Sequence, residues 1–247
     1  MDLLRSYSVD AILIPFYLVR VFYTPYHLLR YKSKKTKDYK ITSNINFGSK
    51  DANDYITKKL KESNIFFEYG SGSSTLLAKK LNIQSYSVET DLSFYRYMKT
   101  HKIKNYYSNN LGVVYFFSTP VFSFIRKYYL NGRAKKFANS IFKIFNKNIF
   151  PDTILVDSRY RVLCCLYIFK FCKIHDIRPK IILDDFKFRR HYQVLKNLYK
   201  IKLIGRLGIL ELKEDKINID IMIKKYQYDT RSVSYTHLRA HETMAHL

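Results

Sequence analysis

The chain has 247 residues, 47% of them apolar, enough for the core of one α/β domain with an appendage and too many for a disordered chain. Lys and Arg number 44 against 20 Asp and Glu, a formal charge of +24. Such charge points first to nucleic acid or an anionic membrane. The basic residues are spread along the chain, however, with one dense run at Arg30–Lys37. Lys, Ile, Asn and Tyr are enriched together, as AT-rich coding produces, and a nucleic-acid partner is discounted on that ground.

The three cysteines, Cys164, Cys165 and Cys172, share one apolar segment and lack metal-ligand spacing. Adjacent cysteines are poor disulfide partners. A cytoplasmic protein with reduced thiols in its core is expected, with no metal site.

Residues 1–40 read as an appendage. Ala11–Leu29 is apolar and aromatic, but Pro15, Arg20 and Pro25 interrupt it. A membrane span needs about 20 apolar residues with few charges. A docked or interfacial amphipathic segment is therefore expected, and the basic run after it suits a cytoplasmic membrane surface. Residues 11–37 are the expected peripheral contact, at the inner membrane face.

The pattern then becomes regular. Ser49–Ser63 predicts a helix capped by Ser49, with Asp51 and Asp54 in its electropositive first turn. Ile65–Tyr69 predicts a buried strand, Ser73–Leu81 a helix stopped at Asn82, Gln84–Glu89 a second strand, and Leu92–His101 a helix. Tyr106–Tyr107 and Val113–Phe117 are strand-like. Phe122–Asn148 is basic and aromatic with helical stretches. Thr153–Asp157 predicts a strand, Val162–Lys173 a helix apolar almost all round and so buried, and Lys180–Asp184 another strand. His191–Tyr199 predicts a helix. Lys200–Ile204 and Leu207–Leu212, parted by Gly205-Arg206, predict a closing pair of strands.

Strands alternating with helices predict an α/β fold, a doubly wound, mostly parallel Rossmann-like sheet with helices on both faces. Ligands bind such sheets at the carboxyl ends of the strands. Those ends carry Glu68, Glu89, Asp157, and Asp184 with Asp185. Chance placement would not set acidic groups at four successive strand ends.

The stretch Glu68-Tyr-Gly-Ser-Gly-Ser-Ser-Thr75 is the centre of this pattern. Gly70 and Gly72 permit a tight turn and close approach of a ligand, and the helix that follows offers free N–H groups. Glu89 lies 19 residues after Gly70, at the end of the next strand, where a carboxylate can accept both ribose hydroxyl protons. Glu68 sets a carboxylate beneath the ligand. A pyrophosphate would be repelled there, and a ligand carrying an ammonium and a sulfonium would be attracted.

Glu68–Thr75 resembles the first motif of Rossmann-like S-adenosylmethionine-dependent methyltransferases. The chain is similar, more narrowly, to a bacterial methyltransferase-like family with a Glu-Tyr-Gly-Ser-Gly turn, a Val-Asp-Gly-Arg-Phe-Arg-Val motif and an Asp-Asp-Tyr motif. The later motifs stand here as Val156-Asp-Ser-Arg-Tyr-Arg-Val162 and Leu183-Asp-Asp-Phe186, followed by Arg189, Tyr192, Gly205-Arg206-Leu207 and Tyr228-Asp-Thr-Arg231. The resemblance covers Asn46 to Arg231, so residues 41–231 are expected to form the methyltransferase-like domain.

It implies a seven-stranded sheet, S-adenosylmethionine as cofactor, and a methyl acceptor that is a small molecule or a surface saccharide. Glu68, Gly70, Ser71, Gly72, Thr75 and Glu89 would bind the cofactor, Gly70 and Gly72 beside its methionine part. Asp157 and Asp185 are the candidate catalytic groups, and Arg159 and Asp184 would bind substrate. Asp184 and His191 remain further candidate bases. Asp157 has the alternative of capping the next helix, Asp184 or Asp185 of capping or pairing with Arg189 or Arg190, and Arg159 and Arg161 of pairing with carboxylates. The chain departs from the pattern at Ser158, where glycine is usual, and has no clear acidic group after the third strand, where Asn109 or Asn110 could meet the adenine. The alternative function is a non-catalytic or nucleotide-sugar-binding Rossmann-like protein, with a basic RNA-binding methyltransferase behind it.

The tail beginning Val233-Ser-Tyr-Thr-His-Leu-Arg-Ala-His-Glu-Thr243 resembles a translated sequencing adaptor. Residues 232–247 are accordingly read as non-native, and their His237, His241 and His246 are not taken as metal ligands.

Overall fold

Ile65-Phe-Phe-Glu-Tyr69 is β-prone and nearly all buried, and it forms an inner strand of the sheet (β1, Ile65–Tyr69). In this computed structural model, residues 39–108, 132, 134–145, 149–214 and 217–227 are described. Helix α1 (Lys50–Lys61) precedes β1, and α2 (Ser73–Lys80), β2 (Gln84–Glu89), α3 (Leu92–Lys99) and β3 (Tyr106–Ser108) follow it. Then come α4 (Ser140–Ile144), β4 (Thr153–Val156), α5 (Arg161–His175) and β5 (Lys180–Leu183). Two 3-10 stretches (Phe186–Phe188 and Arg190–Asn197) lead to β6 (Tyr199–Ile204), β7 (Leu207–Leu212) and α6 (Ile219–Tyr226).

The seven strands lie in the order β3-β2-β1-β4-β5-β7-β6. The pairs from β3 to β5 are parallel, and β7 runs antiparallel to both β5 and β6. The order reverses direction between β1 and β4. That switch point opens a crevice at the carboxyl ends of the strands.

Alternation along each strand divides the core in two. Phe66, Leu155, Ile182 and Ile209 face α1 and α2, meeting Ala52, Ile56, Leu60 and Ala78. Phe67, Tyr69, Ile154, Val156, Ile181 and Leu183 face the other side, where α5 is the main cover. Eleven of the fifteen residues of α5 are buried, as its apolar circumference predicts. Each large apolar side chain sealed in this way contributes about 1.5–3 kcal/mol relative to exposure.

The predicted elements from Ser49 to Glu89 stand within two residues of expectation. Ser49 caps α1 by accepting from the Ala52 N–H at 3.2 Å, and Asn82 takes the left-handed conformation that ends α2. One prediction is corrected. Residues 190–197 form a 3-10 helix, not an α-helix, and Tyr199 already belongs to β6. The buried side chains of that stretch are Tyr192 and Leu195, three residues apart, a spacing that a threefold helix serves as well as an α-turn. Helix α6 was missed, although Asn218 caps it and Ile219, Met222, Ile223 and Tyr226 repeat at helical spacing. Val113–Phe117, residues 1–38 of the 1–40 appendage, Asn109 and Asn110, and residues 228–247, which hold Tyr228–Arg231 and the 232–247 tail, lie outside the described residues. Among the described residues no helix is long and apolar enough to cross a membrane.

Candidate active site

Two clusters of side chains sit at the carboxyl ends of the strands, on either side of the switch point. The first is built on the turn between β1 and α2. Glu68 and Leu155 are register partners whose side chains share the α2 face of the sheet. Glu68 is therefore driven inward and is 0% exposed. Its carboxylate accepts from the hydroxyls of Ser74 (2.6 Å), Ser87 (2.6 Å) and Thr75. The Thr75 hydroxyl in turn accepts from the Gly72 N–H at 2.9 Å. Glu68 thus lies beneath the turn, as expected, and acts on it through hydroxyls. Burial raises its pKa to about 7, against the pull of those three donors.

The two glycines of the turn serve different ends. Gly70 has φ +93°, and a Cβ there would lie 2.5 Å from the Asp157 carbonyl oxygen. It is glycine because the β1 and β4 turns touch at that point. Gly72 has an extended backbone, and a Cβ there would meet nothing within 4 Å. The open side of the turn, where a ligand can approach backbone, is therefore at Gly72.

Glu89 closes this cluster from β2. One of its oxygens accepts from the Thr90 and Asp91 N–H groups at 2.6 and 2.9 Å. The other accepts from the Ser71 N–H and hydroxyl at 3.1 and 2.8 Å. The Ser71 hydroxyl also meets the Tyr106 hydroxyl at 2.7 Å, and the Tyr106 ring lies against Tyr95 with centroids 4.6 Å apart. Arg159 belongs to this side electrostatically. Burial lowers its pKa to about 10, while Asp91 and Glu89 oppose the fall.

The second cluster joins the loops after β4 and β5. Arg161 is only 3% exposed. Its guanidinium donates to the Ser158 carbonyl (2.8 Å), the Asp184 carbonyl (2.7 Å) and the Asp157 carboxylate (2.6 Å). It stands 3.2 Å from the Asp185 carboxylate and 3.7 Å from that of Asp184. Arg206, from the β6–β7 turn, grips Asp184 with two bonds of 2.6 and 3.0 Å, and Arg189 reaches Asp185 at 3.5 Å. Burial by itself would raise the Asp185 pKa, but Arg161, Arg206 and Arg189 outweigh it and hold the carboxyl below its ordinary value.

Asp157 is the open edge of this cluster, with its side chain 36% exposed. Partial desolvation and the nearby Asp184 push its pKa up, and Arg161 pulls the other way. It does not cap α5. The cap position is Tyr160, a buried residue held at φ +56° with no side-chain cap bond. Asp185 likewise occupies a left-handed cap position, φ +59°, without a capping side-chain bond. Bulky or charged residues at positive φ cost energy and persist where surroundings impose them. Here the imposing partners are the Arg161 and Arg206 contacts and the packed Tyr160 ring.

The structure thus brings Glu68, Gly70, Ser71, Gly72, Thr75 and Glu89 into one cluster and Asp157, Asp184 and Asp185 into the other. Arg159 falls with the first, although it follows Asp157 closely in sequence. Asp184, 2% exposed and paired with Arg206, is an internal anchor of the second. The pairing of Arg161 with carboxylates was one of the alternatives the sequence left open, and it is the one the structure has. The part played by Arg206 was not read from the sequence, because an arginine buried among carboxylates looks like any other arginine there. Tyr106 was read as strand-like, but its contact with Ser71 was missed, the two being far apart in the chain. Among the described residues no group of three or more His, Cys, Asp or Glu could hold a metal ion.

No family model matches the chain, and no curated protein matches it. Among solved structures, a methyltransferase-like protein from Silicibacter pomeroyi is similar, with a TM-score of 0.58 and 21% identity. The match covers 76% of this chain and 99% of that one. A likeness at this identity is one of fold, and the chain itself carries a Rossmann-like α/β fold with a seven-stranded, mostly parallel sheet.

Proposed function

We propose that the protein is an S-adenosylmethionine-dependent methyltransferase acting on a small molecule or a saccharide. The observation that carries this reading is the opening at Gly72, with Glu89 at the end of the neighbouring strand and a buried carboxylate below. The donor set fits the cofactor. The turn offers backbone at its open side, the cluster holds more carboxylates than guanidinium groups, and a ligand carrying an ammonium and a sulfonium complements that excess.

Gly70, Ser71, Gly72 and Thr75 form the cradle for the methionine part, and Glu68 keeps that cradle in shape. Glu89 is the group for the ribose. When bound, the cofactor supplies an electrophilic methyl carbon for in-line displacement. The chain's own residues position the acceptor and take its proton. Asp157 is the group for the proton, because it is the exposed carboxylate of the second cluster and burial together with Asp184 pushes its pKa up. Arg161, itself flanked by Asp185, holds it in place, and Arg159 lies where an anionic part of a substrate could be met. Residues 11–37 remain our proposal for a peripheral membrane contact.

Calorimetry with S-adenosylmethionine and S-adenosylhomocysteine tests the reading. Binding of both by wild type, lost on substitution Glu89→Ala, is the expected result. No binding by a folded protein ending at Ser232, with thermal stabilisation by a nucleotide sugar instead, would overturn it.

A further inference from the structure

A carboxylate offers about four lone-pair sites, two on each oxygen. In Glu89 all four face donors at hydrogen-bond distance. Thr90 N–H (2.6 Å) and Asp91 N–H (2.9 Å) take one oxygen, and the Ser71 N–H (3.1 Å) and Ser71 hydroxyl (2.8 Å) take the other. The Thr90 hydroxyl adds a longer contact of 3.3 Å to the first oxygen. Three of the four short contacts come from backbone N–H groups fixed by the two turns. The Ser71 hydroxyl alone among them can turn about its own side-chain bond. A second partner already waits for it, the Tyr106 hydroxyl at 2.7 Å. That phenol is held by its ring contact with Tyr95 and sits in a site where burial raises its pKa, so it stays a neutral hydroxyl able to accept as well as donate.

We infer that Ser71 is a built-in competitor for the ribose: its hydroxyl occupies the Glu89 lone pair that a ribose diol needs, and binding requires that hydroxyl to pass to Tyr106. The inference rests on the nucleoside reading of the cluster given above and reverses the simple role of Ser71 as a ligand contact. In the ligand-free protein the Ser71 hydroxyl donates to Glu89 and accepts from Tyr106. In the complex it donates to Tyr106, and Glu89 takes the ribose proton in its place. The handover exchanges one hydroxyl for another, so it lowers affinity without blocking the site. It also selects for ligands that carry a hydroxyl at this position, because only a hydroxyl makes the bond that replaces the one given up.

The sign of one substitution tests this. Ser71→Ala removes the competing hydroxyl and leaves the backbone bond, so calorimetry with S-adenosylhomocysteine is expected to show roughly three- to tenfold tighter binding, the range of one net hydrogen bond. The gain is expected to disappear with the analogue lacking both ribose hydroxyls. Tyr106→Phe removes the receiving hydroxyl and should weaken binding in wild type but not in the Ser71→Ala background. Weaker binding by the Ser71→Ala protein would make Ser71 a direct ligand contact and overturn the handover. Unchanged binding would overturn it too, by showing that the hydroxyl does not compete. If neither protein binds S-adenosylhomocysteine while both remain folded by circular dichroism, the nucleoside reading itself fails and the handover falls with it.

Discussion

Replacing Arg161 by Met should be among the most damaging single changes in the domain. The side chain is 3% exposed and donates to two carbonyls and the Asp157 carboxylate at 2.6–2.8 Å. Its charge is held by Asp157, Asp184 and Asp185 against the burial that would otherwise disfavour it. Truncation leaves three carboxylates with two arginines, and leaves the Ser158 and Asp184 carbonyls without that donor. Breaking one member of a buried pair costs about 3–5 kcal/mol. Asp184 keeps its two bonds from Arg206, and Asp157 can turn to water, so a loss near the lower end is expected, about 3 kcal/mol. For a domain of this size that is roughly 6–12 °C in Tm. Urea denaturation followed by far-ultraviolet circular dichroism measures it, with Arg161→Lys expected to fall between wild type and Arg161→Met, because an ammonium restores charge but not the planar fork. A loss below about 1 kcal/mol, the level of exposed ion pairs, would refute the claim that this cluster is a buried, mutually dependent network.

Three other predictions concern the glycine turn. The Glu68 pKa is raised to about 7 by burial, above its ordinary 4.5. Between those two values the unfolded chain releases the proton while the folded one keeps it, so this group lowers stability as pH rises through the window. The accumulated loss is about 3 kcal/mol above pH 7, since each pH unit between the two values is worth about 1.4 kcal/mol. Glu68→Gln should flatten that part of the stability–pH curve, and an unchanged slope between pH 4.5 and 7 would place the carboxylate in a different environment. Gly70→Ala should destabilise the fold by more than about 2 kcal/mol, because positive φ and the Asp157 carbonyl both oppose a Cβ. Gly72→Ala should leave Tm within a few degrees and weaken S-adenosylhomocysteine binding, since the only space its methyl takes is open. Equal effects of the two on stability would remove the distinction drawn between them.

The order of elements around β1, and the carboxylates at the ends of β1, β2, β4 and β5, were legible in the sequence because both follow from local rules. Strand alternation, helix caps such as Ser49 and the stop at Asn82 depend on neighbours within a few residues. Glu68, Glu89 and Asp157 could be placed at the strand ends from spacing alone. What the tertiary structure decided was which groups meet. Whether Asp157 capped α5 or paired with Arg161 depended on a left-handed Tyr160, whose conformation is imposed by packing. Arg159 and Arg161, two positions apart, went to opposite clusters because the chain turns between them. Gly70 and Gly72 looked interchangeable until β4 came within contact distance of one and not the other. Hydrogen-bond partners as remote as Ser71 with Tyr106, or Arg206 with Asp184, are chosen by the sheet order, which is long-range. Sequence periodicity determines where a carboxylate stands, and only the packed chain determines which donors reach it.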